Sequence, residues 1–195
     1  MRLILFCCLR SGARPNRLLG PNRRAPPPHR MGEKGGRAMS DHSGPLPGVL
    51  LEGRPAARAL LRGSDAHPGL LGEMLFYPWQ GGSLVLTRAV GLPGDGFFAL
   101  HIHAFGSCRT GGDVAYLGAG GHFNPAGRRH PDHAGDLPVL LSGGGRAFSV
   151  NYTGRFTPGQ VVGRSAVLHA LPDDYRSQPT GGAGARIACG VIRPV

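Results

Sequence analysis

Gly82-Ser-Leu-Val-Leu-Thr-Arg-Ala-Val-Gly-Leu-Pro-Gly-Asp-Gly-Phe-Phe-Ala-Leu-His-Ile-His103 is the stretch from which the fold is read. Two apolar runs of strand length, 82–90 and 96–103, flank the turn cluster Leu92-Pro-Gly-Asp-Gly96. Pro and Gly in such a cluster preset the dihedrals of a reversal, so the runs read as strands rather than pieces of one helix. Outward from there the same rhythm continues. Further candidate strands are 54–62, 72–78, 146–152, 165–169 and 188–192, with Gly-Ser-Asp, Gln-Gly-Gly and Ser-Gly-Gly-Gly as turns. No segment of helical length keeps a 3.6-residue apolar period. The expected fold is all-β, a Greek-key antiparallel sandwich or barrel of immunoglobulin-like type. Two long connections, near 104–138 and 170–187, are expected to be functional loops.

The chain has 195 residues, which suits one domain with some chain left over. Its 34 glycines and 18 prolines fit a turn-rich β fold better than a helical bundle. The formal charge of +11 is unevenly spread. Residues 1–38 carry nine Arg/Lys and one acid, Glu33, so the remainder has 22 − 9 = 13 bases against 11 − 1 = 10 acids. The body is nearly neutral and has no basic stripe interleaved with aromatics, which argues against nucleic acid as a partner. No apolar run approaches the roughly 20 residues needed to span a bilayer, and no membrane partner is expected. Residues 1–45 read as a basic, disordered leader and 54–193 as the folded domain. Three origins of the leader remain open. Lys34-Gly-Gly36 sits three codons before Met39 and could be encoded by a ribosome-binding sequence, which would make Met39 the start; this is the favoured reading. An atypical export signal at 3–9 and a genuine disordered tail are the others.

Six of the nine histidines fall between residues 101 and 169: His101, His103, His122, His130, His133 and His169, with Asp136 among them. On a strand, residues i and i+2 project from one face, so His101 and His103 point together, about 7 Å apart. Alone, that pair reads more readily as two surface histidines on an edge strand. His130-Pro-Asp-His133-Ala-Gly-Asp136 is broken by Pro131 and Gly135, so it is a loop able to fold two imidazoles and a carboxylate around one ion. Alone, it also reads as a solvated polar loop. His122 and His169, each taken singly, are ordinary buried histidines. Taken together, seven such side chains suit two adjacent metal ions. Imidazole serves both copper and zinc, and a carboxylate added to three imidazoles favours zinc.

In order and spacing these residues resemble the copper–zinc superoxide dismutases, of bacterial type, over about residues 54–193. The resemblance rests on Phe98-Ala-Leu-His-Ile-His-Ala-Phe-Gly-Ser-Cys108, Gly120-Gly-His-Phe-Asn-Pro125, His133-Ala-Gly-Asp-Leu-Pro138 and Gly184-Ala-Arg-Ile-Ala-Cys-Gly-Val-Ile192. It implies copper held by His101, His103, His122 and His169. It implies zinc held by His122, His130, His133 and Asp136, with His122 bridging the two ions. It further implies that Asp173 hydrogen-bonds His101 and His130, and that Arg186 and Thr180 line the approach of superoxide. Cys108 and Cys189 would pair as a disulfide. The implied activity converts superoxide to dioxygen and hydrogen peroxide through a Cu(II)/Cu(I) cycle, with zinc structural. A non-catalytic copper- and zinc-binding relative is the alternative, and it would be expected to lack a ligand or the channel arginine.

The sequence departs from the family's pattern in three places. Only two residues separate His130 from His133, so the zinc subloop is trimmed and a weaker zinc site is expected. Ala104 stands where a glutamate often follows the second copper histidine. Between Asp174 and Arg186 only Arg176 is charged, which implies weaker electrostatic guidance. The expected assembly is a monomer or homodimer, and the expected location is cytoplasmic, with export to the periplasm or exterior as the alternative.

Overall fold

The computed structural model describes residues 53–195. The leader assigned to 1–45 lies outside them. Nine strands form: β1 Ala57–Gly63, β2 Leu71–Trp79, β3 Gly82–Val90, β4 Gly96–Phe98, β5 Leu100–His103, β6 Leu140–Gly143, β7 Arg146–Thr153, β8 Ser165–His169 and β9 Arg186–Pro194. Every pairing is antiparallel, in the order β4-β6-β7-β3-β2-β1-β9-β8-β5. The β6–β7 hairpin lies between β3 and β4, which is the long-range return of a Greek key. The outermost strands, β4 and β5, are joined through the single residue Ala99, so the sheet curls until its two ends meet as a nearly closed barrel.

Alternation sets which faces are inside. In β1, Ala57, Ala59 and Leu61 are buried while Arg58, Leu60 and Arg62 are exposed. Met74 and Phe76 of β2, Val85 and Ala89 of β3, Ile102 of β5, Leu168 of β8 and Ile187 and Ile192 of β9 join them in one core. Each fully buried Leu, Ile, Phe or Met contributes roughly 1.5–3 kcal/mol by leaving water. Ser83 faces the same core and satisfies its hydroxyl by donating to the Phe156 carbonyl at 3.0 Å.

Three features differ from the sequence expectation. The run 96–103 is two strands, because the chain changes partner at Ala99, from β6 before it to β8 after it. The Ala99 N–H donates to Leu171 O and its carbonyl accepts from His169 N–H, both at 2.9 Å. The strand β6 was not expected; adjacent Leu140 and Leu141, one buried and one exposed, hide the two-residue period in a four-residue element. One turn of helix, α1 Pro158–Val161, follows β7 and is too short for any helical period to register. At its start the Thr157 N–H donates to Gln160 Oε1 at 2.8 Å, a capping interaction.

Both expected long connections are present, from 104 to 139 and from 170 to 185. Cys108 of the first is disulfide-bonded to Cys189 of β9. The bond closes across a sequence separation of 81. It packs with Tyr116, Ala119 and Val167 in a small second cluster. No helix among the described residues is long and apolar enough to cross a membrane.

Candidate metal centre

β5 builds the base of the site. Leu100 and Ile102 face the core, so His101 and His103 must face outward from the barrel wall. They are nevertheless almost wholly buried, at 0% and 1% exposure, because the two loops cover that wall. The first loop runs along the outer edge of β5. Ile102 N–H donates to Gly135 O at 2.9 Å, Phe123 N–H to Ile102 O at 2.8 Å, and Ala104 N–H to Gly121 O at 2.8 Å. Single antiparallel bridges then set His122 opposite His103 and Asp136 opposite His101. Gly135 permits this approach, since a Cβ there would lie 2.2 Å from the Ile102 carbonyl oxygen. His169 enters from the end of β8, at a register shift, with Arg186 of β9 as its cross-strand partner.

All seven expected ligands come together, and all are buried. His101, His103, His122 and His169 offer four nitrogens within 4.8 Å of one another. His122, His130, His133 and Asp136 offer three nitrogens and a carboxylate oxygen within the same limit, so His122 belongs to both sets. The rings of His101 and His122 have centroids 4.0 Å apart.

The outward nitrogens explain which atoms are left for a metal. His101 Nε2 and His130 Nε2 lie 2.8 Å from the two oxygens of Asp173, one on each. His103 Nδ1 donates to Gly120 O at 2.9 Å. Each ring therefore has one nitrogen engaged and turns the other inward as a lone pair. His101 Nδ1 and His122 Nε2 are buried with no hydrogen-bond partner, and buried His130 Nδ1 lies 3.0 Å from Asp136 Oδ2. His103 Nε2 and His169 Nε2 face each other at 3.3 Å. On the other side, His122 Nδ1 lies 2.7 Å from Asp136 Oδ1 and 3.3 Å from His133 Nδ1. Tetrahedral donors about 2.0–2.1 Å from an ion are themselves about 3.3 Å apart. Orphaned buried nitrogens at these separations fit two cations, one set all nitrogen and the other nitrogen with a carboxylate.

Electrostatics points the same way. Burial pushes His101 and His103 down to about 2 and His169 to about 4, with the neighbouring imidazoles adding to the effect at each. These rings are neutral at physiological pH, and the His101–Asp173 contact is a hydrogen bond rather than an ion pair. Burial alone would raise the Asp136 carboxyl. The hydrogen bond from His122 and the charges of His122, His133 and His130 outweigh it and hold the group below its ordinary value.

Arg186 is half-buried and donates from Nη1 to Tyr116 O and from Nη2 to Gly120 O, each at 2.6 Å. Gly120 O thus receives both Arg186 and His103. Thr180 is exposed on the second loop, beside Gly181. Two side chains that sequence reading did not single out also reach the site. Gln178 holds the His130 backbone, and Arg155 holds the carbonyls of Pro131 and His133. Both act through main-chain atoms, which carry no residue-type signal.

The family model for copper/zinc superoxide dismutase matches residues 72–192. Copper–zinc superoxide dismutase 2 of Aquifex aeolicus is 37% identical over 139 residues, covering 64% of this chain and 80% of that one. The copper–zinc enzyme of Deinococcus radiodurans is 34% identical over 161 residues, covering 73% and 87%. Among solved structures, the Cu/Zn superoxide dismutase from Brucella abortus superposes with a TM-score of 0.63 at 28% identity, covering 69% of this chain and 98% of that one. Fold, donor sets and sequence likeness agree, and the chain belongs to the copper/zinc superoxide dismutase family.

Proposed function

We propose that His101, His103, His122 and His169 hold copper, that His122, His130, His133 and Asp136 hold zinc, and that His122 is shared. The chain is a superoxide dismutase, an oxidoreductase with copper and zinc as cofactors. Two superoxide ions and two protons give one dioxygen and one hydrogen peroxide. Bound copper supplies the one-electron chemistry, while zinc has no redox role.

The chain's own residues do the rest. Asp173 fixes the rings of His101 and His130 at once, which ties the orientation of one set to the other. The His122 ring lies between the sets, with Nδ1 toward Asp136 and His133 and with Nε2, buried and without a partner, free to hold a proton on the other side. Arg186 is braced by two carbonyls on the strand position opposite His169, where its charge attracts and orients a small anion. Thr180 is assigned to the same approach. A surface groove of about 900 Å³ lies elsewhere, along Arg58, Arg62, Tyr116, Cys189 and Arg193. A diatomic substrate needs no such cavity.

The observation that carries this reading is the pair of buried donor sets meeting at His122. Its test is metal analysis with a superoxide-consumption assay on the purified protein, together with sedimentation velocity to read monomer against homodimer. One copper and one zinc per chain with fast turnover are expected. His122→Ala should abolish turnover, change the copper spectrum and weaken zinc binding; an unchanged copper spectrum would refute the shared ring.

A further inference from the structure

The segment from His130 to Asp136 carries three of the four zinc donors, yet it is only seven residues long. Its C-terminal half is anchored to the barrel. Gly135 N–H donates to Phe123 O at 2.9 Å, and Gly135 O accepts from Ile102 of β5. Asp136 is further tied to its own turn, where Oδ2 accepts from His133 N–H at 3.0 Å. The N-terminal half, from His130 to His133, has no such backbone tie to a strand among the described residues. The ring of His130 is held by Asp173, but its main chain needs a separate constraint.

Two side chains from different elements supply it. Gln178, on the second loop, accepts the His130 N–H at Oε1 (3.1 Å) and donates from Nε2 to the His130 carbonyl (2.6 Å). Both main-chain groups of one ligand are gripped by one primary amide. Arg155, in the connection between β7 and α1, donates from Nη1 to Pro131 O at 2.8 Å and to His133 O at 3.1 Å. Its Nη2 lies 3.7 Å from Asp132 Oδ1. Four hydrogen bonds from two side chains thus fix the half of the turn that the strands leave free. The amide matches the antiparallel donor–acceptor pair of a peptide unit, and a planar guanidinium can reach two carbonyls at once.

We propose that Gln178 and Arg155 are positioning residues for zinc. They hold the short His130–His133 turn from outside and so replace the constraint a longer subloop would provide internally. The inference rests on the assignment of zinc to His122, His130, His133 and Asp136. Neither residue touches the ion; both act through the main chain of its ligands. Loss of either leaves the copper donors, which come from β5, β8 and His122, in place.

The test uses the full chain with its disulfide intact, stripped of metal. Parent, Gln178→Ala, Gln178→Glu, Arg155→Ala and Arg155→Lys are titrated with Co(II), whose ligand-field absorption reports a tetrahedral site, and with Zn(II) against a chromophoric chelator. Cu(II) is titrated in parallel. Both alanine variants should bind zinc about 10- to 100-fold more weakly, the range for residues that orient metal ligands, while copper affinity stays at the parent value. Gln178→Glu keeps the acceptor but sets a carboxylate against the His130 carbonyl, so it should do no better than alanine. Arg155→Lys can reach one carbonyl and should recover part of the loss. Parent-like zinc titrations in both alanine variants would overturn the proposal, as would equal losses of zinc and copper, the mark of a merely structural role. A parent lacking the tetrahedral Co(II) absorption would instead remove the zinc assignment itself.

Discussion

Gly181 sits where a side chain cannot. Its φ is +67°, and a Cβ built on it would lie 2.0 Å from Asp173 Oδ1 and 2.7 Å from His130 Nε2. Gly181→Ala therefore meets two penalties. Holding an L-residue in the left-handed region costs about 1–2 kcal/mol. An ordinary carbon–oxygen contact needs about 3.4 Å, so the carboxylate or the loop must move by more than 1 Å. The Asp173 carboxylate cannot move that far and keep its 2.8 Å contacts to His101 and His130 or its 2.7 Å bond from Tyr175 N–H. A hydrogen bond to a charged group contributes about 1.5–3 kcal/mol, so losing two brings the total to about 4–8 kcal/mol if the loop stays in place. If the loop swings out instead, the chain keeps its stability, but His101 and His130 lose their common partner and zinc affinity falls about 10- to 100-fold. Urea unfolding of the metal-free protein, paired with a zinc competition titration, separates the two outcomes. A variant with parental midpoint and parental zinc affinity would refute the reasoning, since it would mean that Asp173 does not need its present position.

Removing the disulfide by Cys108→Ser with Cys189→Ser frees a loop of sequence separation 81. In the chain-entropy description this destabilises the fold by about 4–5 kcal/mol, and an unfolding midpoint equal to the parent's would contradict it. The metal-free protein should also weaken in acid. The folded pKa values of His101, His103 and His169 lie below their ordinary 6.5, so the unfolded chain binds more protons, and stability present above pH 6.5 is lost as pH falls. Each ring contributes about 2 kcal/mol of loss between pH 7 and pH 5, about 6 kcal/mol in all. Urea midpoints that coincide at the two pH values would show that these rings are not held neutral.

What could be read from the sequence followed from how each residue acts. His101 and His103 were legible because a strand puts i and i+2 on one face, and Asp136 because it shares a short, broken loop with two histidines in a chain where four more stand nearby in sequence. The pairing of Cys108 with Cys189 and the role of Asp173 came from the family resemblance, and the structure brings both together. Gln178 and Arg155 were invisible because their partners are main-chain atoms distant in sequence, the same for any residue type. The break at Ala99 was invisible for a similar reason. An alanine between Phe98 and Leu100 continues any strand pattern, and only the bond of its N–H to Leu171 of the second loop and of its carbonyl to the last residue of β8 interrupts it.

The first loop closes the outer side of β5 with its own peptide groups, through Gly121, Phe123 and Gly135. That strip of backbone would otherwise be an unpaired margin of the barrel, flanked by apolar Leu100 and Ile102, and such margins recruit strands from other molecules. The donors that meet at His122 and Asp136 sit on the covering segment itself. Emptying them is expected to loosen the guard over the margin, which would make self-association the companion of metal loss. Withheld zinc should show first as slow clumping at neutral pH, read by light scattering, before any fall in the β-sheet signal.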